Sequence, residues 1–226
     1  MVGPIGCAPR QRESYVHGAF RAALRRDLRS PIVATTSLIT DTGRMVQRSF
    51  AELEEGLPEV RRSPVDNGAV RLIVRRPAPD ERELVGAADL DTEQGLVGDT
   101  WLSRGSKATA DGAADRRAQV TLMNARAAAL IAGPSEDWAA AGDQLYVDLD
   151  LGEANLPAGT RLAVGTAVLE VSPTPHTGCA KFSARFGVDA MRIVNAPEGR
   201  ALRLRGMNAT VVTSGSVRLG DPVRKI

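Results

Sequence analysis

Apolar and polar positions alternate along most of the chain after residue 67. The run Val70-Arg71-Leu72-Ile73-Val74-Arg75-Arg76 is rich in β-branched residues, lies between Gly68 and Pro77, and predicts a strand over 70–76. Residues 82–88 predict a second. Further short strands are predicted at 118–122, 144–147, 161–163, 167–171, 209–212, 216–218 and 222–224, parted by Gly, Pro, Asn and Asp. Short strands at this spacing suit a barrel or a folded sheet. One helix precedes the strands and two interrupt them. Ser49 caps the first, with Glu52 three residues on as in a capping box, and Gly56-Leu57-Pro58 is expected to stop it after Glu55. Asn124 is a plausible cap for a second over 125–132, and a third opens near Thr177 and runs to about Phe186. The predicted fold is mainly β with a few short helices. Its parts are a basic leader (1–44), a short helix and linker (45–67) and one strand-rich domain (68–226).

Composition narrows the class. With 226 residues, 43% apolar and 25% charged, the chain can bury a core, which excludes a wholly disordered protein. The net charge of +2 is unevenly placed: residues 1–44 hold seven arginines against Glu13, Asp27 and Asp41, so they carry +4 and the remainder carries −2. That leader reads as poorly ordered, or as sequence upstream of a start at Met45. Arg25-Arg26 is followed by Asp27 and not by an apolar stretch, which argues against a twin-arginine signal. A domain of net −2 with few aromatics lacks the basic face that nucleic acid requires, so no nucleic-acid partner is expected. Arginine outnumbers lysine 26 to 3, read here as a coding bias. Two cysteines, Cys7 and Cys179, and two histidines, His17 and His176, exclude a disulfide framework and a structural zinc site built without carboxylates. So few cysteines suit a reducing, cytoplasmic setting, and since no run approaches the roughly 18 to 20 apolar residues of a membrane span, a soluble protein is expected.

Candidate chemistry concentrates in Pro175-His176-Thr177-Gly178-Cys179-Ala180-Lys181-Phe182-Ser183-Ala184-Arg185-Phe186, between a predicted strand and a helix. If Thr177 or Gly178 caps that helix, Cys179 lies in its first turn, where free N–H groups favour a thiolate, and Lys181 and Arg185 add to the effect. A thiolate binds soft metals or carries sulfur. Phe182, Ser183 and Phe186, at offsets three, four and seven, support the opposite reading, a cysteine in the core. His176 is either an ordinary loop residue or a group that orients or protonates a ligand. The stretch 98–107 offers amides, hydroxyls, Arg104 and Lys107, a composition able to hold a phosphate. Glu153 and Asn155, in Gly152-Glu153-Ala154-Asn155-Leu156, favour a turn-shaping role.

In order and spacing these segments resemble the MOSC domain, named for the carboxy-terminal part of molybdenum-cofactor sulfurases. The resemblance covers roughly 68–226. It rests on Gly98-Asp99, on 152–156, on Gly165-Thr166-Ala167-Val168-Leu169-Glu170-Val171, on Cys179 with Arg185-Phe186-Gly187 after it, and on Gly215-Ser216-Val217-Arg218-Leu219-Gly220-Asp221-Pro222-Val223. This chain departs from stand-alone members in having Trp101-Leu102-Ser103-Arg104-Gly105 after Gly-Asp, and a Pro-Cys pair stretched to Pro175-His176-Thr177-Gly178-Cys179. The resemblance implies a MOSC-type β-barrel. It also implies that Cys179 ligates the molybdenum of a pterin cofactor whose phosphate meets Arg104, Lys107, Lys181 or Arg185, with Asn155 as a further cofactor contact. Such a site would be a molybdenum-dependent oxidoreductase that reduces N-hydroxylated small molecules, with His176 as proton donor and a separate reductase supplying electrons. Two alternatives remain open: a persulfide carrier at Cys179 fed by a sulfur donor, and a non-catalytic binding module with Cys179 packed inside. Pyridoxal phosphate is not expected.

Overall fold

A computed structural model of the chain describes Met45 and residues 47–226; the leader predicted over 1–44 lies outside the described residues. Eight strands form one sheet and three more form a second. The strands are β1 (Gly68–Arg75), β2 (Glu83–Leu84), β3 (Ala87–Asp91), β4 (Gly95–Leu96), β5 (Val120–Asn124), β6 (Leu145–Asp148), β7 (Arg161–Val164), β8 (Ala167–Val171), β9 (Met207–Thr213), β10 (Gly215–Arg218) and β11 (Pro222–Lys225). In the larger sheet they run β11-β7-β8-β9-β5-β6-β1, and β11 also pairs with β1. That last pairing closes a seven-stranded barrel, so the sheet keeps no open edge there. β10, β3 and β4 form the second sheet.

Every strand pair is antiparallel except β5–β6. Parallel neighbours need a crossover, here helix α3 (Ala125–Ala132) and the 3-10 turn of Ser135–Ala141. Asn124 ends β5 and caps α3 through its side-chain oxygen, which accepts from the N–H groups of Arg126 and Ala127. The crossover makes both faces of β5 and β6 internal. Leu122, Leu145 and Val147 point into the barrel, while Met123 and Tyr146 meet the helices on its outside. In β1 a bulge between Val70 and Leu72 shifts the alternation, so that Val70 and Ile73 join the barrel core and Leu72 and Val74 the helical layer.

The helical layer consists of α1 (Phe50–Val60), α3, α4 (Ala180–Asn195) and α5 (Pro197–Ala201), while the one-turn α2 (Trp101–Arg104) lies beside β4. α1 has the predicted capping box at Ser49 and Glu52 but continues through Pro58 to Val60. Burial of Leu53, Gly56, Leu57 and Val60 beside α3 outweighs the proline's missing N–H, whose loss falls in the last turn. The predicted strand over 82–88 is two short strands in different sheets, broken at Val85-Gly86. Among the described residues no helix is long and apolar enough to cross a membrane.

Candidate functional site

α4 begins at Ala180, three residues later than its predicted opening near Thr177. Cys179 is therefore its N-cap, with extended backbone (φ −117°, ψ 173°) and no side-chain capping bond. This one-turn difference decides between the two readings of the cysteine. Phe182 and Phe186 turn inward and pack on each other, ring centroids 4.9 Å apart, whereas Cys179 is exposed. The core placement of Cys179 is thus corrected. Gly178 brings the loop against the far half of α4, beyond its kink at Gly187, so closely that a Cβ there would stand 2.5 Å from Met191 Sδ.

Cys179 lies in a cleft of about 710 Å³ whose walls come from the segment after β1, the α2 loop, the Ala141-Gly142 turn, the 174–177 loop and the start of α4. Cations dominate it: Arg76, Arg82, Arg104, Lys181, Arg185 and Arg205. Three of them are anchored by consecutive backbone carbonyls at the end of the Ser135–Ala141 turn. Arg185 Nη1 donates to Ala140 O (2.8 Å), Arg205 Nη2 to Ala141 O (2.9 Å) and Arg76 Nη1 to Gly142 O (2.9 Å). Carbonyls at such a terminus have no intrahelical partner and suit cations. Gly142, at φ +92°, supplies the left-handed residue that turns the chain there.

Carboxylates complete the anchoring. Arg76, nearly buried, meets Asp99 in two parallel bonds of 2.7 and 2.8 Å, and Asp99 also accepts from the N–H groups of Arg76 and Trp101. The Gly-Asp element seen in sequence therefore holds an arginine in place and does not itself line the cleft. Arg205 Nη1 donates to buried Asp143 at 2.5 Å, and its guanidinium lies 5.0 Å from the centre of the Phe182 ring. Lys181 pairs with Asp80 at 2.6 Å; this bond and the nearby Arg185 hold the exposed Asp80 carboxyl below its usual range.

Arg82 and Arg104 have no carboxylate within ion-pair distance among the described residues, and Arg82 Nε is buried without a hydrogen-bond partner. Burial lowers the pKa of Arg82, as do Arg185 and Arg76; burial and Arg76 lower that of Arg104. The cleft thus concentrates positive charge that its wall neutralises incompletely, and an anion would relieve it.

His176 forms the partition between this cleft and a second of about 600 Å³, which Arg200, Arg203 and Glu153 also line. Its side chain is 17% exposed, and burial together with Arg205 pushes its pKa down to about 4. The remaining predicted site residues lie elsewhere. Lys107 is exposed and lines neither cleft. Asn155 also lines neither; its amide donates to Val65 O and Asp150 O and its oxygen accepts from Lys225 Nζ, tying the end of β11 to its neighbours.

Residues 116–224 match the family model described as the MOSC domain. The chain carries a MOSC domain. Cys179, His176, Asp143, Lys181, Arg185 and Arg205 fall within the matched residues, whereas Arg76, Arg82 and Arg104 precede them and line the same cleft, with Asp99 behind Arg76. The fold is shared with the YuaD protein of Bacillus subtilis, at 18% identity over 69% of this chain and 94% of that one, with a TM-score of 0.51. YiiM of Escherichia coli aligns at 18% identity over 70% and 69% of the two chains, with a TM-score of 0.47. No curated protein matches this sequence.

Proposed function

We propose that the cleft of this MOSC domain binds the molybdenum cofactor and reduces small N-hydroxylated compounds. The observation that carries the reading is the convergence of an exposed thiol, Cys179, with Arg82 and Arg104, two cations with no carboxylate within ion-pair distance among the described residues. The donor set fits the group. Soft sulfur suits molybdenum, and guanidinium forks suit a phosphate. Among the described residues no three His, Cys, Asp or Glu side chains gather as a metal centre, and Cys179 is the residue that would hold the metal of a bound cofactor.

When bound, the cofactor supplies two-electron redox chemistry at its metal. Cys179 holds the metal, and Arg82 and Arg104, flanked by Lys181 and Arg185, hold the phosphate. Arg76 and Arg205, fixed by Asp99 and Asp143, keep the floor positive without moving. With its pKa near 4, His176 works as a neutral imidazole whose cleft-facing nitrogen hydrogen-bonds the bound molecule. The electrons come from a separate reductase. The exposure of Cys179 also favours a second reading, a persulfide carrier for metal–sulfur centres, which needs a reachable thiol and no molybdenum.

The test is pterin content. Protein purified from a host that makes the cofactor is oxidised to release a fluorescent pterin, alongside Arg82→Ala/Arg104→Ala. Each lost charge-assisted bond is worth about 1.5–3 kcal/mol, so the double variant should retain at least tenfold less pterin. A wild-type protein without pterin, or a double variant that keeps all of it, overturns the reading. Cys179 carrying one added sulfur atom by mass, with no pterin present, selects the carrier.

A further inference from the structure

Six buried side-chain nitrogen or oxygen atoms lack a hydrogen-bond partner among the described residues, and three belong to one cluster: Asp143 Oδ1, His176 Nδ1 and Arg205 Nε. Buried polar atoms are seldom left unpaired, since folding takes them out of water and an unmade bond leaves that loss uncompensated. Two of the three face one another. His176 Nδ1 stands 3.3 Å from Asp143 Oδ1, and the Asp143 side chain is wholly buried. Its other oxygen, Oδ2, is occupied by Arg205 Nη1 at 2.5 Å. Oδ1 can only accept, so a hydrogen on Nδ1 is what satisfies both orphans, after a small rotation of the ring.

We infer that Asp143 is a positioning residue: with Arg205 holding one carboxylate oxygen, the other fixes His176 as the Nδ1–H tautomer and leaves Nε2 as a hydrogen-bond acceptor in the cleft wall. Because Nδ1 is buried and the side chain keeps 17% of its surface exposed, Nε2 is the nitrogen a bound molecule reaches. An acceptor there recognises a ligand that brings its own donor, and the hydroxyl of an N–O–H group is such a donor. This consequence rests on the substrate class proposed above; the tautomer itself does not. The arrangement joins residues from three separated segments: the turn before β6, the loop before α4 and the residue pair before β9. Burial keeps the imidazole neutral at pH 7, so a single tautomer is the relevant state.

Nitrogen-15 NMR of the full chain, without cofactor, tests this directly. The chain has two histidines, and His17→Gln leaves His176 as the sole source of imidazole signals. The expected spectrum at pH 7 has a protonated Nδ1 and an unprotonated Nε2. In Asp143→Asn the amide oxygen must still face Arg205, which only donates, so the NH₂ turns to His176 Nδ1 and the tautomer flips to Nε2–H. A wild-type Nε2–H spectrum overturns the inference without any substitution. An unchanged Nδ1–H tautomer in folded Asp143→Asn also overturns it, since a merely structural carboxylate would leave the tautomer as it was. Failure of cofactor binding affects neither result.

Discussion

At the scale of single residues, the cleft depends on how its charged groups are paired off. Two arginines are spent on structure. Arg76 is locked to Asp99 and Arg205 to Asp143, and breaking either buried pair by removing one partner should cost on the order of 3–5 kcal/mol. Their fixed charge, together with burial, acts on His176, whose pKa lies near 4 against an ordinary 6.5. Because the folded state binds this proton less readily than the unfolded chain, its stability is intact above about pH 6.5 and falls as pH drops towards 4. Below that both states are protonated and the loss levels off. Over that window the wild type should lose up to about 3 kcal/mol relative to His176→Gln, as read by urea unfolding of both proteins at matched pH values. Parallel profiles would mean that His176 titrates as a solvated histidine.

Elements place these residues, and one glycine sets the tolerance. The 174–178 loop reaches the cleft only because Gly178 presses on Met191 and Val194 of α4. Gly178→Val should displace the loop and destabilise the protein by about 1–3 kcal/mol, with part of that recovered by adding Met191→Ala, measured by chemical denaturation. Full stability in the single variant would show that the loop is not held by this contact. Much at this scale was legible in the sequence. β8 over 167–171 and α3 over 125–132 fall where alternation and the Asn124 cap place them. Pro58 misled, because tertiary burial of Leu57 and Val60 extends α1 past a local stop signal. The opening of α4 expected near Thr177 comes three residues too early, so Cys179 is the N-cap and not a first-turn residue. In the site, Cys179, His176, Arg104, Lys181 and Arg185 do gather in one cleft. Arg76, Asp143 and Arg205 were not legible, since their partnerships span 23 to 66 residues and leave no mark in local spacing, and only the fold brings Arg82 to the cleft. The available hint was Asp143-Gln144, two polar residues set directly before the apolar run of β6, where a buried charge needs a partner from elsewhere.

At the scale of the molecule, barrel closure and site assembly are one event. β1 pairs with β11 and β6 to close the wall, and the chain leaving β1 carries Arg76 and Arg82 to face α4. The cleft therefore combines residues on both sides of the start of the matched MOSC segment: Arg76, Arg82 and Arg104 from before it, the thiol, the imidazole and the other three cations from within it. On the function proposed here, these parts form one site for a molybdenum-carrying anion anchored at Cys179. Metal analysis of protein made in a cofactor-producing host, with Cys179→Ala carried through the same preparation, tests it most directly. The account predicts molybdenum approaching one atom per chain in the wild type and its loss in the variant. No molybdenum in the wild type, or an equal amount in Cys179→Ala, would contradict it.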